Sequence, residues 1–125
     1  MNITASAVSL NVPDPAASAK FLIDHLGFEE KMSADGFVSL ARDDAGLNVI
    51  FLRTGLASFK PKSKAGSAGD GLLVAFVVDD IDTEYARLQD EGVSIVTPIE
   101  TEEWGERYFQ MSDPNGITIQ LVQWV

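Results

Sequence analysis

A valine-ended strand, an aspartate, a helix and a glycine stop occur in that order twice along this chain, and no other feature narrows its possible folds as far. The first copy is "SAVSLNVPDPAASAKFLIDHLGF". Its polar and apolar side chains alternate as in a half-buried strand, Asp14 reads as an N-cap, Pro15 as the first helical residue and Gly27 as the stop. The second copy, "LLVAFVVDDIDTEYARLQDEGV", gives a buried strand, a cap at Asp80 or Asp82, a helix and a stop at Gly92. The two share few letters, but a recurring order of this kind marks a duplicated supersecondary unit.

Short strands follow each helix. "GFVSLAR" and "LNVIFLR" flank the turn signal "DDAG"; "VSIVTPI", "RYFQMS" and "ITIQLVQWV" follow the second helix, with "DPNG" as a tight turn. Each half is therefore read as βαβββ, an α+β arrangement in a single domain, with module one at 1–55 and module two at 71–125. The linker, 56–70, is rich in Gly, Ser, Ala and Lys. Phe59 is its only aromatic residue, either part of a lid over a ligand or a local surface anchor.

Composition removes several functions. A chain of 125 residues suffices for one compact unit. Runs such as "GLLVAFVV" are too short to span a membrane, and "MNITASAVSL" lacks the pattern of an export signal, which points to the cytoplasm. With no cysteine, disulfides, thiolate metal sites and cysteine nucleophiles are excluded. A formal charge of −10 repels nucleic acid; the acids either keep the protein soluble or favour a cationic ligand. The single histidine, His25, lies near the end of the first helix and receives no role. "AGSAGDG" has neither the strand-to-helix context of a nucleophile elbow nor the pattern of a phosphate loop.

Taken together, the two βαβββ modules, the "LGF" helix exit, "WGER", "DPNG" and a final strand bearing Gln120 resemble the vicinal-oxygen-chelate superfamily over essentially the whole chain. That superfamily includes glyoxalase I, extradiol dioxygenases, fosfomycin-modifying enzymes and bleomycin-resistance proteins. The resemblance implies a curved eight-stranded cup with helices outside and a ligand inside. Its metal-binding strand positions fall on Ala7, Leu73, Asn48 or Ile50, and Gln120. Two amide oxygens at most are a poor home for a divalent cation, so no metal and no cofactor are expected.

Strand alternation then fills the cup. If Gln120 points inward, Trp124, Tyr108 and Gln110 share its face, and Ser9 and Asn11 join Ala7 on the first strand. Neutral polar groups and rings of this kind suit a flat organic molecule. "SAV", "DGFVSLARDD" and "WGER" resemble most the metal-free bleomycin-resistance proteins, acidic dimers that sequester a cationic aromatic antibiotic unchanged. That resemblance implies stacking residues at Phe37 and Trp104, with Gly105 allowing a sharp turn beside the indole; the other reading packs Trp104 on a partner subunit or a neighbouring loop. The expected ligand-binding set is Ser9, Phe37, Asn48, Phe59, Trp104, Arg107, Tyr108, Gln110, Gln120 and Trp124. The expected function is sequestration of an aromatic antibiotic by a homodimer. The competing reading is a lyase, isomerase or dioxygenase of the same superfamily, with an atypical metal set or with Glu106 or Tyr108 as an acid–base group.

Overall fold

The computed structural model describes residues 1–125, which divide into two compact units, Met1–Asp70 and Gly71–Val125. Unit one runs β1 (Ala7–Val12), α1 (Pro15–Leu26), β2 (Glu29–Ala34), β3 (Phe37–Ala41) and β4 (Asn48–Arg53). Its four strands lie in the order β1-β4-β3-β2, with β1 and β4 parallel and the other pairs antiparallel. Unit two repeats this with β5 (Val74–Val77), α2 (Ile81–Asp90), β6 (Ser94–Thr101), β7 (Glu106–Ser112) and β8 (Thr118–Trp124), in the order β5-β8-β7-β6. The repeat read from the sequence is thus present as two sheets of equivalent topology.

β2 supplies a strand that the sequence reading did not name, although it counted each half as βαβββ. All six of its residues, "EEKMSA", are exposed, so no apolar alternation announces it; pairing with β3 through a bulge makes it a strand.

Both helices start as their sequences require. Asp14 accepts from the Ala17 amide at 3.3 Å, and Asp80 accepts from the amide and the hydroxyl of Thr83 at 3.3 and 2.7 Å. Asp80, not Asp82, is therefore the cap of α2. Gly27 ends α1 in the left-handed region, and the Arg42 guanidinium donates to the Leu26 carbonyl there, joining a cation to the helix's negative end.

Each sheet buries one face against its own helix. In unit one Leu10, Val12, Val38, Leu40, Val49 and Phe51 lie buried beneath Ala19, Leu22 and Leu26 of α1. In unit two Phe109, Met111, Ile119 and Leu121 meet α2, where Ile81 and Leu88 are buried and the Tyr85 ring lies edge-on to Phe109 at 4.8 Å. Burying a side chain of this size contributes about 1.5–3 kcal/mol. The opposite face of each sheet is left for other work.

Between β7 and β8, "DPNG" forms the tight turn expected. Asp113 Oδ1 accepts from the amides of Asn115 and Ile117 at 2.9 and 2.8 Å, and Gly116 takes a φ of 84°. The turn fixes the β7–β8 register, and with it the pairing of Gln110 with Gln120.

Candidate functional site: the open faces of the two sheets

On β8, Ile119 and Leu121 are buried against α2, while Gln123 turns to the same helix, accepting from the Ile81 amide at 3.1 Å and donating to the Asp79 carbonyl at 2.7 Å. Alternation therefore puts Thr118, Gln120, Val122 and Trp124 on the open face. Cross-strand register adds their neighbours. Ala75, Gln120, Gln110 and Thr97 form one row; Val77, Val122, Tyr108 and Glu100 form the next.

The first row is a hydrogen-bonded chain. The Thr97 hydroxyl donates to Gln110 Oε1 at 2.7 Å, and Gln110 Nε2 donates to Gln120 Oε1 at 2.9 Å. In the second row the Tyr108 hydroxyl lies 2.6 Å from Glu100 and 2.8 Å from Glu102. Hydrogen bonding to Glu100 and Glu102, then desolvation and the carboxylates' charge, raises the phenol pKa far above its ordinary value, because a phenolate could donate to neither carboxylate. Tyr108 is accordingly a donor at neutral pH and a poor base.

Trp104 occupies the β6–β7 turn, 67% exposed. The turn closes through the Gly105 amide, which donates to the Glu102 carbonyl at 3.0 Å, and the Val125 amide, which donates to the Gly105 carbonyl at 2.8 Å. Gly105 has a φ of 90°, and a Cβ there would lie 2.7 Å from the Val125 carbonyl oxygen. The indole is thus held at the end of the sheet by a turn only glycine fits well. Trp124, 58% exposed, stands opposite Glu106 at the end of β8.

Arg107 leaves this company. One position along from Tyr108, it faces the helix side, where its guanidinium binds Asp82 at 2.7 and 3.2 Å and the Thr101 hydroxyl at 2.8 Å. The hydrogen bond from Arg107 holds the Asp82 carboxyl below its usual range.

In unit one, the open face carries Ser9, Ile50 and Ser39 in one row and Asn11, Leu52 and Phe37 in another. Asn48 pairs with Ala7 at the near end of the sheet and is half-buried. Asn11, only 8% exposed, donates through its amide to the carbonyls of Lys64 and Gly66 at 2.6 and 2.8 Å, strapping the 56–70 segment to the end of β1. Phe59 is half-buried within that segment.

The register decides between Asn48 and Ile50 as the counterpart of Gln120. Ser9 and Ala75 each lie five positions before a helix-capping aspartate, Asp14 and Asp80; Ser9 pairs with Ile50 and Ala75 with Gln120. Ile50 is thus the register counterpart of Gln120, with Ser9 and Ala75 as the strand partners of that pair; Ala7 and Leu73, the positions that the resemblance gave, lie two residues earlier and carry no metal-binding side chain. A hydroxyl and one amide already engaged by Gln110 do not fit a divalent cation. Nor are any three His, Cys, Asp or Glu side chains grouped to hold a metal.

Thr97, Glu100 and Glu102 were missed by sequence reasoning. β6 carries Pro98 and two register shifts, at Ile95/Thr97 and Thr97/Glu100, which defeat a simple count of alternating positions. Leu52 and Val77 were missed for another reason: apolar residues on a strand read as core, and only the position of the helix shows that they face away from it.

Relatives are recognisable in both sequence and fold. Uncharacterized proteins of Mycobacterium bovis and Mycobacterium tuberculosis are 29% identical over 82 residues, 66% of this chain; the match covers 49% and 44% of their lengths, so this chain spans about half of them. Among solved structures, a glyoxalase/bleomycin resistance protein/dioxygenase from Nocardioides superposes with a TM-score of 0.81 at 22% identity, covering 100% of this chain and 85% of that one. TnmS3, an antibiotic binding protein from Streptomyces sp. CB03234, gives 0.76 at 24% identity, with 100% and 99% covered. Lactoylglutathione lyase from Agrobacterium tumefaciens gives 0.79 at 18% identity, with 98% and 94% covered. At such identities the likeness establishes the fold alone. The model of the Glyoxalase/Bleomycin resistance protein/Dioxygenase superfamily matches residues 4–121, and the chain belongs to that superfamily.

Proposed function

We propose that this protein binds a flat, aromatic and preferably cationic antibiotic, as a homodimer, and confers resistance by sequestering it unchanged. The observation that carries this reading is the chemistry of the unit-two open face. It offers an amide row, Gln110 and Gln120, beside apolar Val77, with exposed rings at Trp104 and Trp124. Amides fix orientation and rings supply stacking, the usual division of labour in sites for flat ligands.

The same face is poorly equipped for catalysis. The strand positions equivalent to Gln120 offer no carboxylate or imidazole, and Tyr108 keeps its proton between Glu100 and Glu102. Proteins of this fold include both a named antibiotic binding protein and a named lyase, so residue chemistry must choose between them. The acids around Trp104 and the charge of −10 favour a positive ligand, held by stacking and cation–π attraction.

Tryptophan-fluorescence titration against bleomycin, mitomycin and enediyne antibiotics tests the proposal. Saturable quenching at micromolar concentration or below, with the ligand recovered unchanged, is the expected result. No quenching across the panel, or chemical conversion of the ligand, would overturn it.

A further inference from the structure

The hydrogen-bonded row on the unit-two sheet has a direction, and the direction has a chemical consequence. Amide oxygen and nitrogen are assigned from the network they enter. Here the Thr97 hydroxyl donates to Gln110 Oε1 at 2.7 Å. That turns Gln110 Nε2 toward Gln120, whose Oε1 accepts at 2.9 Å. Gln120 is left with its amide nitrogen as the free end.

That nitrogen donates to no protein atom, although Gln120 is only 6% exposed. No fully buried polar side-chain atom in the structure lacks a partner, so the nitrogen opens onto the sheet's open face. Its protons point where a ligand lies under the proposed function, and a desolvated donor left unmatched there is costly. Each amide in the row polarises the next, which strengthens the terminal donor.

Resting on that binding reading, we infer that Gln120 is a specificity-determining donor, and that the ligand's central ring system carries a hydrogen-bond acceptor, a carbonyl oxygen, opposite Gln120 Nε2. Thr97 and Gln110 are positioning residues that hold this polarity. A ring presenting only hydrogen atoms or N–H donors at that position is selected against, because it leaves the desolvated Gln120 amide N–H unmatched.

Calorimetric titration with two probes of equal charge and nearly equal shape tests this: 2-(aminomethyl)-9-fluorenone, which has the carbonyl, and 2-(aminomethyl)fluorene, which lacks it. The native protein is expected to prefer the fluorenone by about fivefold, the size of one net hydrogen bond. Gln120→Met should abolish the preference while retaining fluorene binding, which also reports that the variant is folded. Thr97→Val should erode the preference and Thr97→Ser keep it. Equal binding of both probes by the native protein, or a preference that survives in Gln120→Met, overturns the inference and leaves the binding reading standing. Failure of both probes to bind overturns the two together.

Discussion

Tyr108 and Trp104 show how differently two aromatic residues on neighbouring positions are used. The Tyr108 hydroxyl is fixed by Glu100 and Glu102, and its raised pKa means that the folded protein holds this proton more tightly than the unfolded chain does. The contribution to stability is therefore complete below the ordinary phenol value of about 10 and is lost as pH climbs above it. Thermal denaturation of the native protein and Tyr108→Phe should give a constant difference up to about pH 10 that shrinks beyond it; a difference that grows with pH would contradict the assignment. Trp104 has no such tether and is mostly exposed. Trp104→Ala should weaken binding of a quenching antibiotic by about 1–3 kcal/mol with the melting temperature unchanged. Unchanged affinity with lowered stability would make the indole a structural residue.

Each sheet behaves as an element with two unlike faces. The helix face of unit two depends on Phe109, fully buried and edge-on to Tyr85, so Phe109→Ala should cost about 3–5 kcal/mol in denaturant unfolding while leaving the open-face rows unchanged in composition. In unit one the open face is tied to the 56–70 segment by the two hydrogen bonds of Asn11. Asn11→Ala should free that segment, and tryptic cleavage after Lys62 or Lys64 should then accelerate several-fold, with roughly 1–3 kcal/mol of local ordering lost. Cleavage at the native rate would show that the strap is held by other contacts.

For the whole chain, ten more negative than positive charges make a field that extends beyond any single pair, and under the proposed function it would attract a positive antibiotic before the ligand stacks. Raising salt from about 0.05 to 0.5 M shortens the Debye length to a few ångströms and should weaken binding of a cationic probe several-fold, while a neutral analogue is nearly unaffected. Equal salt dependence for both would return the acids to a role in solubility alone. No helix is long and apolar enough to cross a membrane.

Much of the fold is legible in the sequence by itself. Asp14, Pro15 and Gly27 announce the first helix because capping and left-handed conformations are local demands that few residues meet. Asp80, Gly92 and "DPNG" mark the second half in the same way, and with the duplicated order they determine the α+β class. Period-two alternation even separates Gln110 and Gln120 from Phe109 and Ile119. What the tertiary structure alone decided is relational. Arg107 joins Asp82 on the helix side, Thr97 reaches Gln110 only because β6 shifts register, Ile50 rather than Asn48 answers Gln120, and Asn11 faces a loop whose carbonyls lie more than fifty positions away. Local propensity is written in each residue and its near neighbours. Pairing across strands depends on bulges and loop closure, which no single stretch of sequence encodes.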